Sequence, residues 1–253
     1  MKANNISKKQ NKDARIITDK EWATRHLHDK NWAENYWKSR DDPHRFFLVE
    51  TICKYAPINT ILEIGCASGP NLYHIAERFP EADVRGIDIS PIAVQKGNEF
   101  FRQEGFLNVK LEVGKAQDLK QFAEKAFDVV FTDAVLIYIS PDEIEQTIKE
   151  MLRICRILVL NEWHTFNKWR AFLLNALYYF KSILIARQQF QTIKFSLISK
   201  ASLGLFVGHW ARDYGMLFKE FAPKESIHIT KLPDELWNDK NWQRWGAIIE
   251  VVG

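Results

Sequence analysis

Cysteine is scarce in this 253-residue chain: Cys53, Cys66 and Cys155 are all there are, and each sits in an apolar run. An odd count without metal-ligand spacing excludes a disulfide framework and reads as reduced core thiols. Long apolar runs are missing as well. The longest uncharged apolar stretch, Ala171 to Phe180, is well short of the roughly 20 residues a spanning helix needs. Residues 1–17 are polar and basic (Lys2, Lys8, Lys9, Lys12, Arg15) with no apolar segment behind them, so a secretory leader is not expected. Together these absences point to a cytoplasmic protein. The formal net charge of +3 is too small to argue for nucleic acid by itself. Acid is missing locally: between Glu162 and Asp213 there is no Asp or Glu, while Lys168, Arg170, Lys181, Arg187, Lys194, Lys200 and Arg212 are present.

What is there begins with Ile61-Leu62-Glu63-Ile64-Gly65-Cys66-Ala67-Ser68-Gly69-Pro70-Asn71. A short apolar run ends in an acid, breaks into a loop with Gly65 and Gly69, and gives way to helical spacing at Leu72, Ile75 and Ala76. Strand, glycine loop, helix lets a ligand lie against bare backbone at a strand's carboxyl end. A dinucleotide fingerprint needs G-x-G-x-x-G. The pattern here is E-x-G-x-x-x-G, with Cys66 and Ala67 where a middle glycine would stand. A second strand, Val84 to Asp88, again ends in an acid, at the place where a carboxylate meets ribose hydroxyls. The structural alternative is a tight turn at Gly65 and Gly69, with Asp88 capping the helix near Pro91.

In this order the two motifs resemble those of class I S-adenosylmethionine-dependent methyltransferases. The resemblance extends to Phe127-Asp128-Val129-Val130-Phe131-Thr132-Asp133 and its continuation through Ser140-Pro141, which is similar to the family's fourth motif. It implies an α/β fold with a Rossmann-like, seven-stranded, mostly parallel sheet and an antiparallel last strand. It implies S-adenosyl-L-methionine as cofactor, held by Glu63, Gly65, Cys66, Ala67, Gly69 and Asn71 of the first motif, by Asp88 and Ile89 of the second, by Asp118 against the adenine amine, and by Asp133. It also makes the segment before the first strand a lid, with Tyr36, Trp37, His44 and Arg45 as candidates to cover the cofactor. Docking of that helix by its aromatic stripe is the alternative for the lid, and capping of a helix at Leu119 the alternative for Asp118.

The expected organisation is a mobile basic tail (1–18), a helical lid (19–57), the cofactor-binding core (58–164), a basic amphipathic helical insertion (165–210), and a last helix with a strand pair (211–253). Strands are predicted at Thr60–Ile64, Asp83–Asp88, Val109–Val113, Phe127–Asp133, Ile157–Leu160, Ser226–Lys231 and Trp245–Val251. Ser90-Pro91 and Ser140-Pro141 carry the N-cap and proline start of two helices. If Gly208 to Tyr214 is helical, His209 and Asp213 share a face. The insertion's apolar half fits a cap over the site, a homodimer face or a membrane interface. Its unopposed charge favours an anionic partner.

A methyl donor of this type arrives activated, so the protein must align a nucleophile and, for an alcohol, take its proton. His164 after the fifth strand is the first candidate base, followed by Tyr138 as a substrate-contacting hydroxyl and by His209. No N-P-P-Y follows the fourth strand, which counts against methylation of base or amide nitrogens, and no strand-tip carboxylate cluster is set for Mg²⁺. The expected reaction is methyl transfer to a hydroxyl of a small molecule or sugar, such as a surface-glycan or natural-product intermediate. Alternatives are an N-methyltransferase of a lipid or small amine at a membrane surface, a nicotinamide-dependent oxidoreductase, and a non-catalytic cofactor-binding module.

Overall fold

Short apolar runs pair into one sheet because each is too hydrophobic to face water on either side. The computed structural model describes residues 17–166, 202–206 and 209–253. The tail through residue 16 and the basic helix expected between Lys168 and Lys200 lie outside the described residues. Strands β1 (Thr60–Ile64), β2 (Asp83–Asp88), β3 (Val109–Val113), β4 (Phe127–Asp133) and β5 (Cys155–Trp163) are all parallel. After a short ladder, β6 (Ser202–Phe206) with β7 (His209–Arg212), the chain returns to the main sheet as β8 (Ser226–Lys231) and β9 (Gly246–Val252). β9 runs antiparallel to β5 and to β8, and the seven strands stand in the order β3-β2-β1-β4-β5-β9-β8. The sheet predicted from sequence is therefore observed, and β5 extends further at both ends than its apolar run suggests.

Alternation along the strands splits the core. Ile61, Val84, Val129, Phe131 and Val159 point to one face, and Leu62, Ile64, Ile87, Val130 and Leu158 to the other. The first face is covered by α3 (Pro43–Cys53), α4 (Pro70–Arg78) and α5 (Pro91–Gln103); the second by α6 (Ile144–Ile154) and α7 (Tyr214–Phe221). α6 buries Ile144, Ile148, Met151 and Ile154, one stripe at helical spacing, and runs straight into β5. α5 starts as its sequence signals ask: Pro91 stands at the first turn and Ser90 Oγ accepts from Ala93 N–H at 3.3 Å. α6 starts later than Ser140-Pro141 suggests; Ser140 Oγ instead donates to Glu143 at 2.9 Å, just ahead of the helix.

Two expectations are corrected. Residues 114–126 form turns rather than a helix after Asp118. The end of the insertion is not helical: β6 and β7 pair antiparallel, with His209 opposite Phe206, and Asp213 caps α7 by accepting from Met216 N–H at 3.0 Å. His209 and Asp213 therefore share no helix face. Backbone pairing across the ladder overrides the weak local helical pattern of these few residues.

At the front, α1 (Asp19–Ala23) and α2 (Trp32–Lys38) lead into α3. α2 is anchored by Trp37, which stacks on Phe100 at 5.1 Å and meets Phe101 edge-on at 5.0 Å. Ser68 Oγ of the glycine loop donates to the Ala33 carbonyl at 2.8 Å, tying this helix to the tip of β1.

Candidate active site

The strand order reverses between β1 and β4, and a cleft opens there at the strands' carboxyl ends, where open α/β sheets place their ligands. It holds about 810 Å³ of space, open solvent at its mouth included. Its floor is Gly65, Ala67, Asp88, Ile89, Gly114 to Gln117, and Asp133 to Val135; its roof and far wall are Asp19, Trp22, Trp32, Tyr36, Tyr138 and Ile139.

The floor needs unusual backbone. Gly65 lies at φ 75°, and a Cβ there would sit 2.3 Å from Val135 Cγ2. Two non-glycine residues, Ala67 (φ 49°) and Ala134 (φ 61°), hold left-handed conformations and both line the cleft, as strained residues tend to do at functional sites. Four of the loop's amides are already used. Gly65 and Cys66 N–H donate to Ile87 O (2.7 and 3.0 Å), Gly69 N–H to Cys66 O (2.7 Å), and Ala67 N–H to Asp88 Oδ2 (2.8 Å). Pro70 has no amide to offer.

Asp88 is buried and bonded on both oxygens, to Ala67 N–H and to Ser90 N–H at 2.8 Å. Burial pushes its carboxyl up, and those two amides pull it back. The carboxylate keeps lone pairs for hydroxyls in the cleft. It does not serve as the cap of α5, which Ser90 provides.

Behind the floor lies a polar network. Asn71 donates to Glu63 Oε1 at 2.6 Å and to Asp133 Oδ2 at 3.1 Å. Arg45 donates to Asn71 Oδ1 and Asp133 Oδ2, both at 3.0 Å, and to Ser39. Asn161 donates to Asp133 Oδ1 at 2.8 Å. Only Asp133 of this group reaches the cleft. Glu63 is buried, its Oε2 has no hydrogen-bond partner, and burial raises its carboxyl to about 8. Asn71 and Arg45, with Glu63 behind Asn71, thus fix the position of Asp133.

The other expected residues distribute as follows. Gly65, Ala67, Asp88, Ile89, Asp133 and Tyr36 come together at the cleft. Cys66 is buried behind the loop. Gly69 turns the chain into α4 at φ 84°. Asp118 is exposed and outside the lining, and its neighbour Gln117 takes the cleft position. Trp37 belongs to the core, and His44 stacks on Trp237 at 3.8 Å, with its Nε2 3.9 Å from Asp133. Of the lid candidates Tyr36, Trp37, His44 and Arg45, only Tyr36 lines the cleft, beside Trp22 and Trp32, while Trp37 docks α2. Lys115 bonds Asp19 at 2.9 Å, closing the roof onto the tip beyond β3.

Tyr138, on the wall, meets His209, which is outside the lining, with the phenol oxygen 3.1 Å from His209 Nε2. Trp22 lies edge-on to Tyr138 at 4.9 Å. Burial raises the Tyr138 phenol above its ordinary range, so it stays protonated. His164 lies elsewhere: it is buried off the cleft lining, with Nδ1 accepting from Tyr214 N–H at 3.3 Å. Its place right after β5 puts it over β7 and α7 instead, a consequence of β5 running on through Trp163. Missed by sequence reasoning is Glu162, the one acid inside the apolar end of β5. Its carboxylate accepts from Thr132 Oγ1 and from the amides of Val135, Leu136 and Ile137 at 2.8–3.1 Å. An acid in a strand buried on both faces was the available signal.

The cleft's ionisable groups are acidic on balance, with Asp19, Asp88 and Asp133 against Lys115. The anionic partner expected from the insertion's charge rests on residues outside those described. Among the described residues, no helix is long and apolar enough to cross a membrane.

Fold and cleft define a doubly wound α/β protein with its ligand site at the strand-order reversal. Residues 61–157 match the family described as methyltransferase domain, and over that stretch the chain is similar to S-adenosylmethionine-dependent methyltransferases. An uncharacterised protein of Rickettsia prowazekii is 32% identical over 98 residues, 38% of this chain and 38% of that protein. Trans-aconitate 2-methyltransferase of Deinococcus radiodurans is 29% identical over 94 residues, 37% of this chain and 33% of that protein. The chain thus spans little more than a third of these curated relatives. Among solved structures, the plantazolicin methyltransferase BpumL with S-adenosylhomocysteine superposes with a TM-score of 0.56 at 18% identity, covering 93% of both chains. A SAM-dependent methyltransferase from Aquifex aeolicus gives 0.52 at 13% identity, over 85% of this chain and 95% of that one. At such identities these two structures speak for the fold.

Proposed function

We propose that this chain moves a methyl group from S-adenosylmethionine to a hydroxyl of a small molecule. The observation that carries the reading is Tyr138 on the wall of the cleft, with His209 against its hydroxyl outside the lining. The residues fit the cofactor: a backbone floor that Gly65 keeps open, Asp88 for ribose hydroxyls, Asp133 as a fixed carboxylate for an ammonium, and Ala116 and Gln117 at the far end. The absence of a middle glycine between Gly65 and Gly69 speaks against a dinucleotide. When bound, the cofactor supplies a methyl already activated on a sulfonium. The chain's own residues then align the acceptor and take its proton. Tyr138 Oη takes the proton of the acceptor hydroxyl as it hands its own to His209 Nε2, which leaves a neutral phenol and an imidazolium. The roof of Trp22, Trp32 and Tyr36 keeps water out.

A second reading, transfer to an amine, has its own support. Aromatic faces beside Asp19 and Asp133 suit a cationic acceptor. The sugar, glycan, lipid and dimer expectations add nothing to the described residues and stay open as substrate or assembly classes.

Calorimetric titration separates the cofactor readings: S-adenosylhomocysteine binds, and NADH does not. Transfer of labelled methyl from the donor to panels of alcohols and amines then separates the acceptor readings. Methylation of amines alone, unaffected by Tyr138→Phe, would sink the hydroxyl reading.

A further inference from the structure

The turn that carries Tyr138 is gripped at both ends by buried charge. After β4 the chain bends through Ala134, at φ 61°, into a single 3₁₀ turn, Leu136–Tyr138. The turn's free amides all point to one side chain. Val135 and Leu136 N–H donate to Glu162 Oε1 at 2.9 Å each, and Ile137 N–H to Oε2 at 3.1 Å, while Thr132 adds its hydroxyl at 2.8 Å. At the other end, the Arg212 guanidinium donates to the carbonyls of Leu136 and Ile139. Glu162 and Arg212 come from β5 and β7, are both 0% exposed, and neither lines the cleft. Carboxylate at the amide end and guanidinium at the carbonyl end follow the polarity of the turn.

Burying two such charges costs several kcal/mol each before their bonds are counted. An apolar pair would fill the same space more cheaply. What the charges achieve, and an apolar pair could not, is a fixed backbone under Tyr138. We infer that Glu162 and Arg212 are positioning residues, which hold the Tyr138 hydroxyl at the cleft and against His209. This deepens the proposed function and rests on its assignment of Tyr138. A glutamine at 162 has one acceptor oxygen and turns its amide donors toward Ile137 N–H, so it releases that end of the turn with almost no change in volume.

The test reads the position of Tyr138 directly. The full chain is labelled with 3-fluorotyrosine, and the Tyr138 fluorine resonance is assigned by its loss in Tyr138→Phe. In Glu162→Gln that resonance is expected to shift by more than its linewidth or to broaden. Those of Tyr55 and Tyr73, on the far elements, stay in place, and S-adenosylhomocysteine affinity stays within about threefold of wild type. A Tyr138 resonance that does not move overturns the inference. Should Glu162→Gln collapse the whole spectrum, Arg212→Lys decides by the same criterion, because it keeps the charge and loses the two-pronged grip. Tyr214, which touches Arg212, moves with it and is not used as a control. If S-adenosylhomocysteine fails to bind the wild type while the Tyr138 resonance still responds, the function reading falls and the positioning role stands.

Discussion

Asp88 and Glu63 are buried and Tyr138 is half-buried, and the three have different duties. Asp88 has both oxygens on amides and still faces the cleft. Asp88→Ala is expected to weaken S-adenosylhomocysteine binding at least tenfold, since charged hydrogen bonds contribute about 1.5–3 kcal/mol each; an unchanged calorimetric Kd would remove the ribose assignment. Tyr138→Phe keeps the ring against Trp22 and deletes the hydroxyl. Methylation of an alcohol acceptor should fall about 10²–10⁴-fold, with cofactor affinity kept. Residues tied to a local motif were legible in the sequence. Gly65, Ala67 and Asp88 follow from chain order alone, because loop and strand tip are contiguous. Gln117 was missed by one position: the turns over 114–126 carry no period to say which side chain faces in. His164 misled because adjacency to a strand end says nothing about which neighbouring element covers it. Glu162 went unused because its partners, the amides of 135–137, are invisible in a side-chain pattern.

At the scale of elements, α2 is the hinge between core and roof. Trp37 roots it among Phe100, Phe101 and Tyr73. Trp37→Ala is expected to lower unfolding free energy by about 3–5 kcal/mol in a denaturant titration and to weaken cofactor binding, because Trp32 and Tyr36 ride on the same helix. An Ala at Gly65 must adopt φ 75° and push against Val135. The expected cost is about 1–3 kcal/mol, with loss of S-adenosylhomocysteine binding; a well-folded variant that binds normally would show that the loop tolerates a side chain. Strands were legible because parallel strands buried on both faces are nearly continuous apolar runs. The β6–β7 ladder was not, since its pairing joins segments whose local pattern suits a helix as well.

For the molecule as a whole, two carboxyls held without full compensation set a pH trend. Burial raises Glu63 to about 8 and Glu162 to about 7, against an ordinary value of 4.5. The unfolded chain therefore releases these protons at lower pH than the folded one. Their stabilising contribution is complete below about pH 4.5 and is lost as pH rises through 7 and 8. Melting curves of the cofactor-free protein should show Glu63→Gln gaining on wild type as pH rises from 5 to 9. A gap that is constant with pH would mean that Glu63 is ionised in both states. The Asp19–Lys115 contact, by contrast, is half-exposed and spans the mouth. Such pairs contribute about 0–1 kcal/mol and weaken with salt. That is too little to decide whether a ligand binds and enough to decide how long it stays. Residence time of the bound cofactor should shorten up to about fivefold between low and high ionic strength, which makes the roof a gate timed by the surrounding electrolyte.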